Sequence, residues 1–163
     1  MENQVHRYRN ITLRPHAMQF VINELPLLVL CPIALLYAGL EDMMFATLLG
    51  CCAFVMATVL FFRWLEMRRI RYVVTGEQII YEHGVFHRQV EYLELYRVVD
   101  FNEQQTLMQQ LFGLKTVSVY SGDRTTPRLD VLGVRSQTDL ISELRARVYD
   151  NKKKNGIYEI TNR

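Results

Sequence analysis

Two apolar runs dominate the pattern of hydrophobic and polar positions. Met43–Phe62 (MMFATLLGCCAFVMATVLFF) is twenty residues without a charge. As a helix it is about 30 Å long, the thickness of a bilayer hydrocarbon core. Leu25–Leu40 is sixteen uncharged residues, and it extends back through Met18–Asn23 if Glu24 is tolerated. Only Glu41 and Asp42 separate the runs. The pattern predicts a transmembrane helical hairpin over residues 17–64, its two helices antiparallel neighbours. Pro26 and Pro32 predict kinks in the first span. Ala46 and Gly50, and Ala53 and Ala57, are small residues at i, i+4. That spacing lets helices approach closely, within the pair or between copies.

Beyond residue 70 the period changes. Tyr72–Thr75 and Gln78–Glu82 are short runs of strand formers around a turn at Gly76–Glu77. After a second turn at His83–Gly84, Val85–Tyr92 alternates apolar and polar residues. Arg97–Gln104, Lys115–Tyr120 and Arg128–Leu132 read as further strands, the last two joined by the turn Ser121–Pro127. Thr106–Phe112 predicts a helical turn closed by Gly113. Leu140, Ile141, Leu144 and Val148 form the apolar face of a final helix. Ser136 stands as its cap, with Asp139 at the third position. The chain thus divides into a polar lead-in (1–16), the hairpin (17–64), a juxtamembrane linker (65–70) through which the helix continues a turn, a soluble domain (71–150) and a basic flexible tail (151–163).

Charge orients the hairpin. Arg7, Arg9 and Arg14 precede the first run, Arg63, Arg68, Arg69 and Arg71 follow the second, and the turn between carries only acids. By the positive-inside rule both termini are cytoplasmic. Residues 1–16 are too polar, and the apolar runs too long, for a cleavable signal peptide. Arg63, Arg68, Arg69 and Arg71 form a basic cluster at the membrane surface, and Trp64 is an interfacial anchor. Arg88, Lys115, Arg124, Arg128, Lys152, Lys153 and Lys154 are secondary candidates for lipid or partner contact. Each near-surface cation adds about 1 kcal/mol of attraction to anionic lipid. The net charge of the whole chain is only +2, which does not suggest a nucleic-acid partner.

No catalytic constellation emerges. Cys31, Cys51 and Cys52 all lie in the apolar runs, so the soluble part has neither a disulfide framework nor a cysteine zinc site. His83 and His87 straddle a turn without a third ligand tied to them, and no metal or other cofactor is expected. Asp100 and Glu103 are conceivable paired carboxylates but read better as charges on a solvated strand edge. A phosphate loop, a nucleophile elbow and a nucleophile–base pair are missing from the sequence. An enzyme is not expected, and no small-molecule substrate is evident.

The string RYVVTGEQIIYEHGVFHRQVEYLELYRVVDFNEQQTLMQQLFGLKTVSVYSGD resembles the bacterial PH-like domain family. The resemblance rests on Tyr72 and Thr75 in the first run, Gly84 before a mixed basic and apolar strand, Gln109–Gln110–Leu111–Phe112–Gly113, and a Val-x-Val strand at Val117 and Val119. It covers residues 70–149, and the two preceding helices fit a membrane-anchored form of that family. It implies an α+β fold: a bent antiparallel sheet of about seven strands closed by the C-terminal helix. It also implies a binding or scaffolding module at the bacterial inner membrane, recruiting or assembling proteins, copies of itself included. Lipid-binding eukaryotic PH domains carry a basic first hairpin loop. The loop compared with it here, Thr75–Gly76–Glu77, has no Lys or Arg, so specific phosphoinositide binding is not expected. An alternative is an accessory subunit of a membrane transport or secretion complex in which the hairpin itself takes part. Glu24, Pro26 and Pro32 motivate it.

Overall fold

The strand that opens the sheet lies in the polar lead-in. A computed structural model of the chain describes residues 8–39 and 45–156. Ile11–Leu13 (β1) runs antiparallel to Arg71–Val74 (β2), with Ile11 opposite Val74 and Leu13 opposite Tyr72. β2 pairs with Gln78–His83 (β3), and β3 with Gln89–Glu94 (β4). A 3-10 turn at Leu95–Arg97 leads into a second sheet. It consists of Val98–Gln104 (β5), Leu114–Ser121 (β6) and Arg128–Arg135 (β7), with β6 central. Four and three antiparallel strands plus helices agree with the PH-like α+β arrangement that the resemblance implies.

One core joins the sheets. Tyr72, Val74 and Ile79 from the first meet Val117, Val119 and Val131 from the second. Leu140, Leu144 and Val148 of the last helix, Leu140–Lys154, complete it, as their spacing predicts. Leu144 is wholly buried, and such burial stabilises by about 1.5–3 kcal/mol.

Tyr72 gives the core a pH limit. Its hydroxyl donates to the Asp130 carbonyl at 2.9 Å. Burial first, and the neighbouring Tyr81 second, push its ionisation well above the ordinary tyrosine value of 10.0. The unfolded chain therefore releases this proton at lower pH than the folded one. Stability from Tyr72 is intact below pH 10 and lost as pH climbs from there toward the raised native value. The unfolding free energy of the full chain, from urea titration in neutral detergent, is expected to fall between pH 9.5 and 11 by about 1 kcal/mol or more. Tyr72→Phe should flatten that fall, and an equal fall in the variant would contradict this assignment.

Several boundaries differ from the sequence reading. Ile11–Leu13 belongs to the sheet, although three residues are too few to show a period. The strand expected to begin at Val85 begins at Gln89, because Gly84–Arg88 is spent on a loop. Asp139, not Ser136, caps the last helix by accepting from the Ser142 N–H at 3.2 Å. That helix continues to Lys154, and Asn151 is buried and donates to the Gly76 carbonyl at 2.6 Å. The first part of the expected tail is therefore structural, and residues 157–163 lie outside the described residues.

Three helices connect β1 to β2: Ala17–Asn23 (α1), Leu25–Ala38 (α2) and Ala46–Arg69 (α3). The short helix after β5, Leu107–Leu111, is α4, and Leu140–Lys154 is α5. α1 and α2 are bent by 70° at Glu24. The bend falls just ahead of Pro26, which has no N–H for the Ile22 carbonyl and whose ring crowds it. Pro32 stays inside α2. α1 packs on the sheet domain. Gln19 is buried and accepts from the Gln109 amide at 2.9 Å, and the His16 N–H donates to the Gly133 carbonyl at 3.2 Å. Gly133 has φ +64, and a Cβ there would lie 3.0 Å from the His16 nitrogen and the Gln19 Cβ. Glycine thus permits the close contact of β7 with α1.

α2 and α3 pack along small residues. Ala53 is fully buried, Cys31 Sγ donates to its carbonyl at 3.6 Å, and a Cβ on Gly50 would touch Ala38. Ala57 is exposed, so it does not serve this contact. Elsewhere the helices turn apolar side chains outward, Leu36 at 75% and Phe54 at 73% exposure among them. α3 is about 36 Å long and is apolar enough to cross a membrane; α1 with α2 qualifies as a bent pair. The acidic turn Glu41–Asp42 lies outside the described residues.

Candidate functional site

The topology brings distant arginines together. Residues 14–70 form the connection between two neighbouring strands, so its ends meet at a neck. The register that sets Leu13 opposite Tyr72 brings Arg14 to the side of Arg71. α3 carries Arg68 and Arg69 in its last turn, immediately before β2. The β3–β4 loop closes the opposite side with Gly84, Val85 and Arg88. The result is a cleft of about 530 Å³ lined by Arg14, Arg68, Arg69, Arg71 and Arg88, together with Trp64 and Leu65 of α3 and Val85 of the loop.

Five guanidinium groups face one lining carboxylate, Glu82. Arg88 takes it, with Nη2 donating to Oε2 at 3.0 Å. Arg71 lies directly across from Glu82 in the β2–β3 register, yet its Nε is buried and has no hydrogen-bond partner among the described residues. A buried N–H of this kind costs about 1–3 kcal/mol, more when charged. Like charges at adjacent strand positions add to that cost. Arg68 sits 4.9 Å over the Trp64 ring, which stacks on Phe61. His83 pairs with Glu91 at 3.3 Å and stacks on Tyr81.

The loop that closes the cleft leans on α3. Phe86 at its tip is 87% exposed, and its ring lies 5.8 Å from Phe62. An aromatic contact thus ties the loop to α3 next to the guanidinium groups of the cleft.

The structure collects some of the basic residues singled out in the sequence and disperses others. Arg68, Arg69 and Arg71 stand in the cleft with Trp64, and Arg88 joins them. Arg63 is outside it, next to Glu24 at 3.4 Å on another face of the helices. Lys115 donates to Glu103 at 2.9 Å from a buried position on β6. Arg128 pairs with Asp130 at 2.8 Å over the Tyr120 ring, and Arg124 is exposed at the β6–β7 turn. Lys152, Lys153 and Lys154 are the last turn of α5, where Lys154 reaches Glu77. Glu103 is committed to Lys115, and the Asp100 carboxylate accepts from the Phe101 N–H at 2.7 Å, so they form no carboxylate pair. Among the described residues, no three His, Cys, Asp or Glu side chains cluster closely enough to hold a metal ion.

Arg14 was not singled out as a site residue by sequence. It is 57 positions from Arg71, and only the β1–β2 register makes them neighbours. The same register revises the loop comparison. The first hairpin of the sheet is β1–β2, whose connection is the helical segment itself, not Thr75–Gly76–Glu77. That connection does carry arginines at its base.

The family described as Bacterial PH domain matches residues 24–148, from the α1–α2 break to the third turn of α5. No curated protein and no solved structure matches the chain. The match takes in α2, α3 and strands β2 to β7, well over half of the residues, and the chain belongs to the bacterial PH domain family.

Proposed function

We propose that the protein is a membrane-anchored binding module without a reaction of its own. The α2–α3 pair crosses the bilayer, and the two-sheet domain stands on the cytoplasmic face, where it recruits or assembles proteins, copies of itself included. The observation that carries this reading is the site of insertion. The apolar pair connects β1 to β2; α1 is hydrogen-bonded to the sheet domain through Gln19, and α3 ends one residue before β2. A domain joined to its anchor at both ends of a strand pair cannot swing freely, so it presents one fixed face to the membrane. Outward-facing Leu36, Phe54 and their neighbours favour lipid over water. Arginines at the neck favour the cytoplasmic side. Glu24, which motivates a transport role for the hairpin, is engaged by Arg63. Of the groups considered for chemistry, His83 pairs with Glu91 and Glu103 with Lys115, and the Asp100 carboxylate accepts from the Phe101 N–H.

The protein is expected to stay in the membrane pellet through alkaline carbonate washing, with reporters fused at either terminus reading cytoplasmic. In-cell crosslinking should give species above the monomer, and that pattern should survive exchange of α2–α3 for an unrelated two-helix anchor. Release by carbonate would remove the membrane placement. A strictly monomeric, uncrosslinked protein would remove the recruiting role. Loss of the pattern on exchange would move the partner contact into the bilayer.

A further inference from the structure

From the cleft at the neck we infer a specific site for the phosphate of an anionic phospholipid, seated between α3 and the β3–β4 loop. The inference rests on the membrane placement proposed above. The cationic side is in excess: five arginines against Glu82, which Arg88 already occupies. Arg14 and Arg69 have no carboxylate partner among the described residues, and the buried Arg71 Nε is an unused donor. Guanidinium forks match phosphate oxygens in geometry and charge, and a phosphate here relieves the crowding of like charges. Arg14 and Arg71 sit at the neck, where the span meets the domain and headgroups lie.

The apolar lining residues decide between a lipid and a free anion. A site for free phosphate needs no hydrophobic wall. This one has Trp64, Leu65 and Val85, and beside them Phe86 lies against Phe62 on the apolar body of α3. Acyl chains leaving a phosphate held by the arginines run along that surface. The exposed Phe86 then sits among lipid rather than in water.

Trp64 is the only tryptophan and lines the cleft, so its emission reports occupancy. Full-length protein in neutral detergent is titrated with phosphatidylglycerol, phosphatidylcholine or glycerol phosphate. Saturable change at one equivalent of phosphatidylglycerol is expected, with at least about tenfold weaker response to the other two. Arg71→Gln and Arg14→Gln should each weaken it about tenfold or more, and Arg145→Gln, at an exposed position on α5, should leave it unchanged. An equal response to glycerol phosphate would overturn the lipid assignment in favour of a small-anion site. Equal, unsaturable responses to both lipids, or indifference to Arg71→Gln and Arg14→Gln, would overturn the site altogether. Carbonate extraction of the same variants separates this failure from failure of the membrane placement, since a protein retained in the membrane can still lack the site.

Discussion

Replacement of Arg147 by methionine is expected to destabilise the sheet domain by roughly 2–4 kcal/mol, a large part of an ordinary domain's stability. Arg147 lies on α5 and is 1% exposed. Its Nη1 donates to the carbonyls of Val74 at 3.1 Å and Thr75 at 2.8 Å. Its Nη2 donates to the Arg9 carbonyl and to Glu143, at 2.9 Å and 2.8 Å. Its guanidinium also covers the Tyr8 ring at 5.0 Å. Methionine fills much of the same volume but leaves three carbonyls without this charged donor, each costing about 1–3 kcal/mol. Removing a buried charge offsets part of that loss, which sets the lower end of the range. Glu143 is half exposed and turns to water, so it adds little.

The loss should be uneven. Arg147 ties Arg9, just ahead of β1, to the end of β2, so β1 should loosen first. Hydrogen exchange at Ile11–Leu13 should rise more than at Val117–Val119 in the second sheet. Arg147→Lys, which keeps the charge but not the fork, should fall between the two. A methionine variant within about 0.5 kcal/mol of the parent, or exchange that rises equally in both sheets, would show that the network does not hold β1.

Local signals carried much of this fold. The α5 face at Leu140, Leu144 and Val148 and the alternation at Val117 and Val119 were readable because each depends on residues a few positions apart. So was the short helix α4, expected over Thr106–Phe112 and found at Leu107–Leu111. Arg147 was not readable. On a helical wheel it is one more polar residue, and it is buried because carbonyls from positions 9, 74 and 75 converge on it. β1 was hidden for the same reason: its partner is some 60 residues away, beyond an apolar insertion that looks like a natural boundary. The cleft inherits that limit. Arg68, Arg69 and Arg71 are a visible cluster, but Arg14 and Arg88 join them only through strand register and a loop. Composition likewise could not separate Arg63, which turns to Glu24, from Arg68, which turns into the cleft.

Gly84→Val should open the β3–β4 loop while leaving the core folded. Gly84 has φ +100, and a Cβ there would fall 2.0 Å from the His87 carbonyl oxygen, so both the dihedral and the contact exclude a side chain. Strain of this kind is worth about 1–3 kcal/mol, and an exposed loop relieves it by rearranging. Core residues such as Leu93 and Ile79 lie outside the loop, so global stability should fall by no more than that strain. The loop itself should change much more. Its present shape keeps Phe86 against Phe62 and Arg88 on Glu82, and both contacts depend on the turn at Gly84. Tryptic cleavage after Arg88 should quicken roughly tenfold or more as the open form gains population. Trp64 emission should shift to the red as water enters beside it. Phosphatidylglycerol should bind about as poorly as to Arg71→Gln, although no charge has been altered. That combination separates a shaped cleft from a diffuse basic surface. A diffuse surface depends on the arginines alone and would keep its affinity when the loop opens. Unchanged cleavage and emission in Gly84→Val would mean that the loop does not form the wall of the cleft.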